Sequence, residues 1–445
     1  MKRFAAILTL SIISAIPALA DGEKTKVAED KNTPVVIPLQ KEIVKSGWNF
    51  GILPAFNYNN DLGFSIGALA QIFDYGDGTV YPNYRHKFTA NFNIYSRGAK
   101  QIWMNYDSKH LIPGKRVTAS LSYMDNPLCG FYGFNGAVSP YHADLDLHKS
   151  ADGSQGLSFY SVHQKQLIAS LDLQGRITDY MTWIGGASYS WQQYADVNYR
   201  VYDGTESLYH QYVENGLIPE PDTHGQRFDV KGGVVYDTRD FETNPERGIY
   251  ASVTASAGAS FSSQTRASVL LSADIRQYVP LWPGRLTWAW QIAYRGLMAG
   301  SLPFYALQGF SMRGSFGSRI VGNGVAWAST DLRLRLASFR ALRQNFEIGL
   351  VGFADAGAAV QPYKLQEQTA LGSLTFGKQI DDIYYGPYAS VYDPAIATHE
   401  RLHSSAGGGF WFAMNRNFLV AVEFGKPLNP QDGTMGVYIN MGFSF

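Results

Sequence analysis

The chain has 445 residues, with 37 Lys+Arg against 37 Asp+Glu and a formal net charge of zero. That balance argues against nucleic acid as a partner and against a basic membrane-surface binder. One cysteine, Cys129, excludes an intrachain disulfide framework.

The first element in chain order is "MKRFAAILTLSIISAIPALA". Lys2 and Arg3 form a charged start, Phe4 to Ile16 an apolar core, and Ala18-Leu19-Ala20 a small-x-small cleavage site. This pattern predicts a secretory signal over 1–20, too short for a spanning helix. Residues 21–46 are charged and weakly patterned, and read as a periplasmic leader. No later apolar run reaches the roughly 18 residues of a transmembrane helix.

From Trp48 onward, apolar and polar residues alternate with period 2. "KFTANFNIY" sends Phe88, Ala90, Phe92 and Ile94 to one face and Lys87, Thr89, Asn91 and Asn93 to the other. "WASTDLRLRL" separates Leu332, Leu334 and Leu336 from Asp331, Arg333 and Arg335. "GVYINMGFSF" puts Val437, Ile439, Met441, Phe443 and Phe445 on one face, opposite Tyr438, Asn440, Gly442 and Ser444. One face suits lipid and the other a polar lumen, as in a transmembrane β-strand.

Strands are predicted at 48–58, 61–74, 84–95, 99–109, 114–125, 160–176, 180–199 and 225–238. The second eight fall at 248–260, 264–279, 284–298, 324–338, 343–358, 401–414, 416–426 and 434–445. The count is even, as bacterial single-chain barrels require. Long gaps at 126–159, 200–224, 299–323 and 359–400 all follow odd-numbered strands, so they open on one side. Barrels place such loops outside the cell and tight turns in the periplasm. The fold class expected is all-β, a sixteen-stranded antiparallel transmembrane β-barrel over 47–445.

Several segments carry a resemblance: "GGVVYDTRDFETNPERGIY" (232–250), "LQGFSMRGSFGSR" (307–319), "DLRLRL" (331–336), "GFADAG" (352–357), "HSSAGGGFWF" (403–412) and "NMGFSF" (440–445), with "FYGFNG" at 131–136. In order and spacing, the chain resembles the BamA/TamA family, or bacterial surface antigens. The resemblance implies outer-membrane residence and a role in membrane assembly or translocation. It also implies that the loop between strands 11 and 12 folds into the lumen, where Arg313 and Gly314 meet Phe353, Asp355 and Gly357. Met312 and Ser315 stand where the family has Val and an aromatic; Phe316 is the next aromatic along. Period 2 independently points Glu347, Phe353, Asp355 and Gly357 into the lumen, where a guanidinium binds a carboxylate in bidentate fashion. The leader is too short for a POTRA domain, so a barrel-only member is expected. Tyr438, Met441, Phe443 and Phe445 resemble the C-terminal signal read by barrel-assembly machinery, which makes that machinery a partner during biogenesis.

Other motifs fail on context. "HERLH" (399–403) matches the zinc pattern H-E-x-x-H but runs into a strand, not a helix. "GFSIG" (63–67) matches a nucleophile elbow, yet Ser65 sits inside a strand with no helix following. No metal, cofactor or catalytic residue is expected, and Cys129 reads as a packed or loop thiol. The lumen charges Lys87, Asp274, Arg276, Arg295, Asp331, Arg333, Arg335, Glu347, Asp355 and Glu423 read as a network holding a loop plug rather than a selectivity lining. The expected partners are outer-membrane lipid and a protein client or periplasmic partner. A passive pore and a surface-interaction protein using loops 126–159 and 359–400 are the alternatives.

Overall fold

The computed structural model describes residues 44–59, 62–81, 83–139, 141, 159–197, 207–262, 264–341, 344–370, 378–380, 383–385, 400–415 and 418–445. The predicted signal, nearly all of the leader, and most of loops 126–159 and 359–400 lie outside these residues.

Sixteen strands form one antiparallel sheet in sequence order. The first eight are β1 (Trp48–Asn59), β2 (Gly63–Asp74), β3 (His86–Tyr95), β4 (Lys100–Ile112), β5 (Lys115–Gly130), β6 (Ser161–Arg176), β7 (Met181–Ala195) and β8 (His224–Asp237). Next come β9 (Gly248–Phe261), β10 (Thr265–Trp282), β11 (Leu286–Gly300) and β12 (Gly324–Ala341). The last four are β13 (Gln344–Gln361), β14 (His403–Met414), β15 (Phe418–Pro427) and β16 (Gly436–Met441).

Alternation does what the sequence requires. On β3, Phe88, Phe92 and Ile94 face outward while Thr89 and Asn93 are buried on the lumen side. The outward apolar residues are bathed by lipid, and every ladder hydrogen bond within the sheet removes a backbone cost that lipid cannot relieve. Trp48, Tyr180 and Trp282 project outward at the end carrying the short turns, as an interfacial aromatic girdle.

Two departures from the expected strand ends bear on the lumen and cap. β5 runs to Gly130, past the predicted 125, through a register shift between Asn126 and Cys129. β16 stops at Met441, short of the predicted 445. Gly442 adopts φ +94°, a conformation open to glycine, and the alternation ends there. Phe443 and Phe445 were expected on the lipid face with Val437 and Ile439. Instead they turn into the lumen, where the Arg333 guanidinium lies 3.9 Å from the Phe443 ring centroid and 5.1 Å from that of Phe445.

The extracellular loops close over the barrel. The short helices α1 (Leu208–Glu214) and α2 (Leu365–Ala370) belong to this cap. Its core joins Phe131, Phe134, Tyr212, Phe304, Phe316 and Tyr363, from four separate loops. Phe131 alone stands edge-on to Phe134, Tyr209, Tyr212 and Phe304 at 5.2–6.0 Å. Such pairs add about 0.5–1.5 kcal/mol each beyond area burial.

At the sheet's two ends, β1 and β16 lie side by side with Cα atoms within 8 Å. Among the described residues they share no ladder, since the hydrogen-bonded order starts at β1 and stops at β16.

Candidate functional site

The loop between β11 and β12 enters the lumen as a short antiparallel clip, Gln308–Phe310 paired with Ile320–Gly322. Its tip, 311–319, is one of the most buried polar segments of the chain: Arg313 is 5% exposed and Arg319 1%. Burying a guanidinium is costly unless every donor is matched. Here the match is dense.

The Arg313 Nε donates to Asp355 Oδ2 at 2.9 Å and Nη2 to Asp355 Oδ1 at 2.6 Å, a bidentate pair. The backbone N–H of Arg313 donates to the same carboxylate at 3.2 Å. Nη2 also reaches Asp331 on β12 at 2.9 Å, and Nη1 reaches Glu423 on β15 at 2.8 Å. The guanidinium sits 3.6 Å from the Phe353 ring centroid. Charge-assisted bonds contribute about 1.5–3 kcal/mol each, so this one side chain fastens the loop to three strands.

The residues around it explain how the tip fits. Gly314 has φ +99°, and a Cβ there would stand 2.6 Å from the backbone carbon of Gly425. The loop therefore lies directly against the β15 backbone. Ser315, where the family has an aromatic, closes the turn: its Oγ accepts from Met312 N at 3.0 Å and donates to Met312 O at 2.9 Å. Met312 packs with Ile320, Val325 and Ala359. Phe316 supplies the aromatic anchor, stacked on Tyr132 at 4.8 Å and within the cap. Gly357 leaves room for the Phe310 ring, which a Cβ would meet at 2.2 Å.

Some of the other predicted lumen residues extend this network, whereas Asp274 and Arg276 pair with each other, Lys87 lies over the Phe73 ring and Arg295 over the Trp327 ring, all outside the Arg313 cluster. Arg333 donates to Asp331 Oδ2 at 2.8 Å, so Asp331 bridges two arginines. Arg335 pairs with Glu246 and lies 3.6 Å from Glu347. Tyr438, expected on the lumen face of the last strand and as part of a C-terminal signal, accepts the Gly314 N–H on its hydroxyl at 2.9 Å. Glu423 was placed in the lumen by its spacing, but no periodicity links it to a loop 110 residues away.

A second buried cluster lies beneath the cap, and no spacing argument finds it. Arg319 donates to the carbonyls of Ser139 (2.7 Å) and Gln431 (3.0 Å). His403 lies between Glu400 (2.6 Å) and Asp432 (2.7 Å), and Glu400 also accepts from Ala137 N at 3.2 Å. The Glu400 and His403 of "HERLH" thus meet as an interloop tie on the start of β14; His399 lies outside the described residues. Among the described residues no group of three or more potential ligands is placed to hold a metal. Ser65 lies within β2, fully buried.

The arrangement is that of a pinned plug, and solved proteins of similar fold are known. BamA from Haemophilus ducreyi lacking POTRA domains 1–3 is similar at TM-score 0.52 and 14% identity, over 89% of this chain and 70% of that one. CdiB from Escherichia coli is similar at TM-score 0.49 and 10% identity, over 90% and 64%. CdiB from Acinetobacter baumannii follows at TM-score 0.45 and 13% identity, over 90% and 60%. At these identities the likeness concerns the fold. No functionally curated protein matches the chain. A family model of the Omp85 superfamily domain matches residues 83–445. Because that match runs from the approach to β3 through to the last residue, the chain belongs to the Omp85 superfamily, and the membrane its barrel occupies is the Gram-negative outer membrane.

Proposed function

We propose that the barrel acts in the assembly or translocation of outer-membrane proteins or lipids through the seam between β1 and β16. In this reading residues 1–20 direct export, 21–46 form a periplasmic leader and 47–445 form the working barrel. The supporting observation is the seam itself: two adjacent strands that share no ladder. Exposed strand edges in hydrocarbon leave N–H and C=O groups unsatisfied, at several kcal/mol per group. An incoming strand edge relieves that cost by pairing with the free groups, and the strained seam would also disturb the lipid beside it. β16, only six residues long, offers little edge of its own to compete with a client strand.

The test is a cysteine staple across β1 and β16 in a Cys129→Ser background. Locking the seam should lower the amount of folded outer-membrane barrels or disturb lipid asymmetry in cells. Unchanged barrel levels together with unchanged asymmetry would sink the reading. The passive-pore alternative requires an open lumen, which the plug and aromatic cap oppose. Absence of single-channel current after deletion of 303–320 removes it.

A further inference from the structure

The turn between β8 and β9, residues 238–247, does not lie flat on the rim. Its base is fixed by Arg239, which pairs with Asp237 at 2.7 Å and covers the Tyr250 ring at 4.7 Å. Its shape is held by Asp240, whose Oδ1 accepts from the backbone of Phe241, Glu246 and Arg247 at 2.9–3.4 Å. Pro245 is buried.

From this fixed turn two carboxylates reach in opposite directions. Glu242 accepts from Lys109 Nζ on β4 at 2.6 Å and from Arg116 Nη2 on β5 at 3.2 Å. Glu246 pairs with Arg335 on β12. In a sheet of sixteen strands, β4 and β5 stand eight and seven strands from β12. Strands that far apart face each other across a barrel lumen. The turn therefore crosses the mouth, anchored on both walls. A rim turn forming only local ion pairs would reach neither.

The mouth in question is the one with the short turns, opposite the aromatic cap. Above it, the inward face of β5 to β7 carries Ser120, Ser122, Ser188 and Ser190, with Gln166 and Gln192, beside the Lys231–Asp172 and Arg227–Asp229 pairs. All six are partly exposed, away from the charged wall that holds the plug. We infer that residues 238–247 form a periplasmic gate, an ion-latched strap governing entry from the periplasm into this polar half of the lumen. The latch is built to release. The side chains of Lys109 and Glu242 remain 38% and 36% exposed, so water and salt compete for the pair.

The gate is independent of the seam proposed above, and its test reads only lumen access. In the full chain carrying Cys129→Ser and Ser188→Cys, purified in detergent, a polar thiol reagent reports entry to the mid-lumen. The intact strap should give slow labelling. Glu242→Gln with Glu246→Gln should raise the rate about tenfold, the effect of losing latch pairs of this exposure. A shortened turn, with 240–246 replaced by two glycines, should label as fast even if the double variant folds poorly. Salt at about 1 M should accelerate the intact strap and leave the shortened turn unchanged. Equal rates for all forms, or a salt effect that persists in the shortened turn, would overturn the gate. A staple across β1 and β16 should leave these differences intact, which separates failure of the gate from failure of the seam.

Discussion

Arg313→Ala removes a guanidinium that serves three carboxylates unequally. Asp331 keeps its second partner, Arg333, at 2.8 Å. Asp355 keeps only the backbone N–H of residue 313, and Glu423 keeps only Asn440 at 3.2 Å. Those two carboxylates are 5% and 0% exposed, so both become buried charges without a counter-charge. Leaving a buried ion pair half-made costs about 3–5 kcal/mol. Asp355→Asn is the milder change, about 1–2 kcal/mol, because Arg313 retains Asp331 and Glu423. The double variant should fall short of the sum by about 1–3 kcal/mol. Urea unfolding of the vesicle-embedded barrel, followed by tryptophan fluorescence, measures all three. Strict additivity would mean the two side chains do not act as a pair. An Asp355 variant as damaging as the Arg313 variant would mean that Asp331 and Glu423 carry none of the arginine's charge.

Other consequences are as direct. Gly314→Ala forces a side chain into φ +99° and against Gly425; it should cost about 2–5 kcal/mol in the same unfolding assay, and a wild-type midpoint would contradict the close approach. Tyr438→Phe strips the partner from the Gly314 N–H and should cost about 1–2 kcal/mol while leaving the barrel folded. Phe316→Ala empties the centre of the cap and should cost about 3–5 kcal/mol, with faster protease cleavage of the extracellular loops as a second readout. Acid tests the strap. Burial favours the neutral form of Glu242, but Arg116 and Lys109 outweigh it and hold the carboxyl from the ordinary 4.5 down to about 2. A depressed carboxyl contributes above its unfolded value and is lost as pH falls through the folded one. The latch should therefore persist through mild acid and release only toward pH 2, as read at Ser188→Cys with a pyridyl disulfide that reacts in acid. Release near 4.5 would show that the arginine and lysine do not hold Glu242.

What the sequence makes legible is whatever repeats with period 2. The faces of β3 and β12, the inward direction of Asp331, Asp355 and Glu347, and the even strand count all follow from alternation. A lipid face and a lumen face impose opposite chemistry on neighbouring residues, so the pattern is strong. Contacts across the lumen have no such signature. Nothing in "DTRDFETNPERG" says that Glu242 meets Arg116 or that Glu246 meets Arg335 on the far wall. Likewise, the pairing of Glu423 with Arg313 and the hydrogen bond from Gly314 to Tyr438 depend on which strands the curled sheet brings together. The reversal after Gly442 was hidden for another reason. Its side chains continue to alternate in the sequence, and only the backbone conformation at one glycine sends Phe443 and Phe445 inward.

The seat of the plug has a bearing on the order of events during biogenesis. The loop tip is made before β12, yet its partners are Asp331 on β12, Asp355 on β13, Glu423 on β15 and Tyr438 on β16. Its receptor is complete only when β12, β13, β15 and β16 stand together. Without any one of these strands, Arg313 or the Gly314 N–H loses part of its match. Docking of that loop therefore fastens β12, β13, β15 and β16 to one another from within.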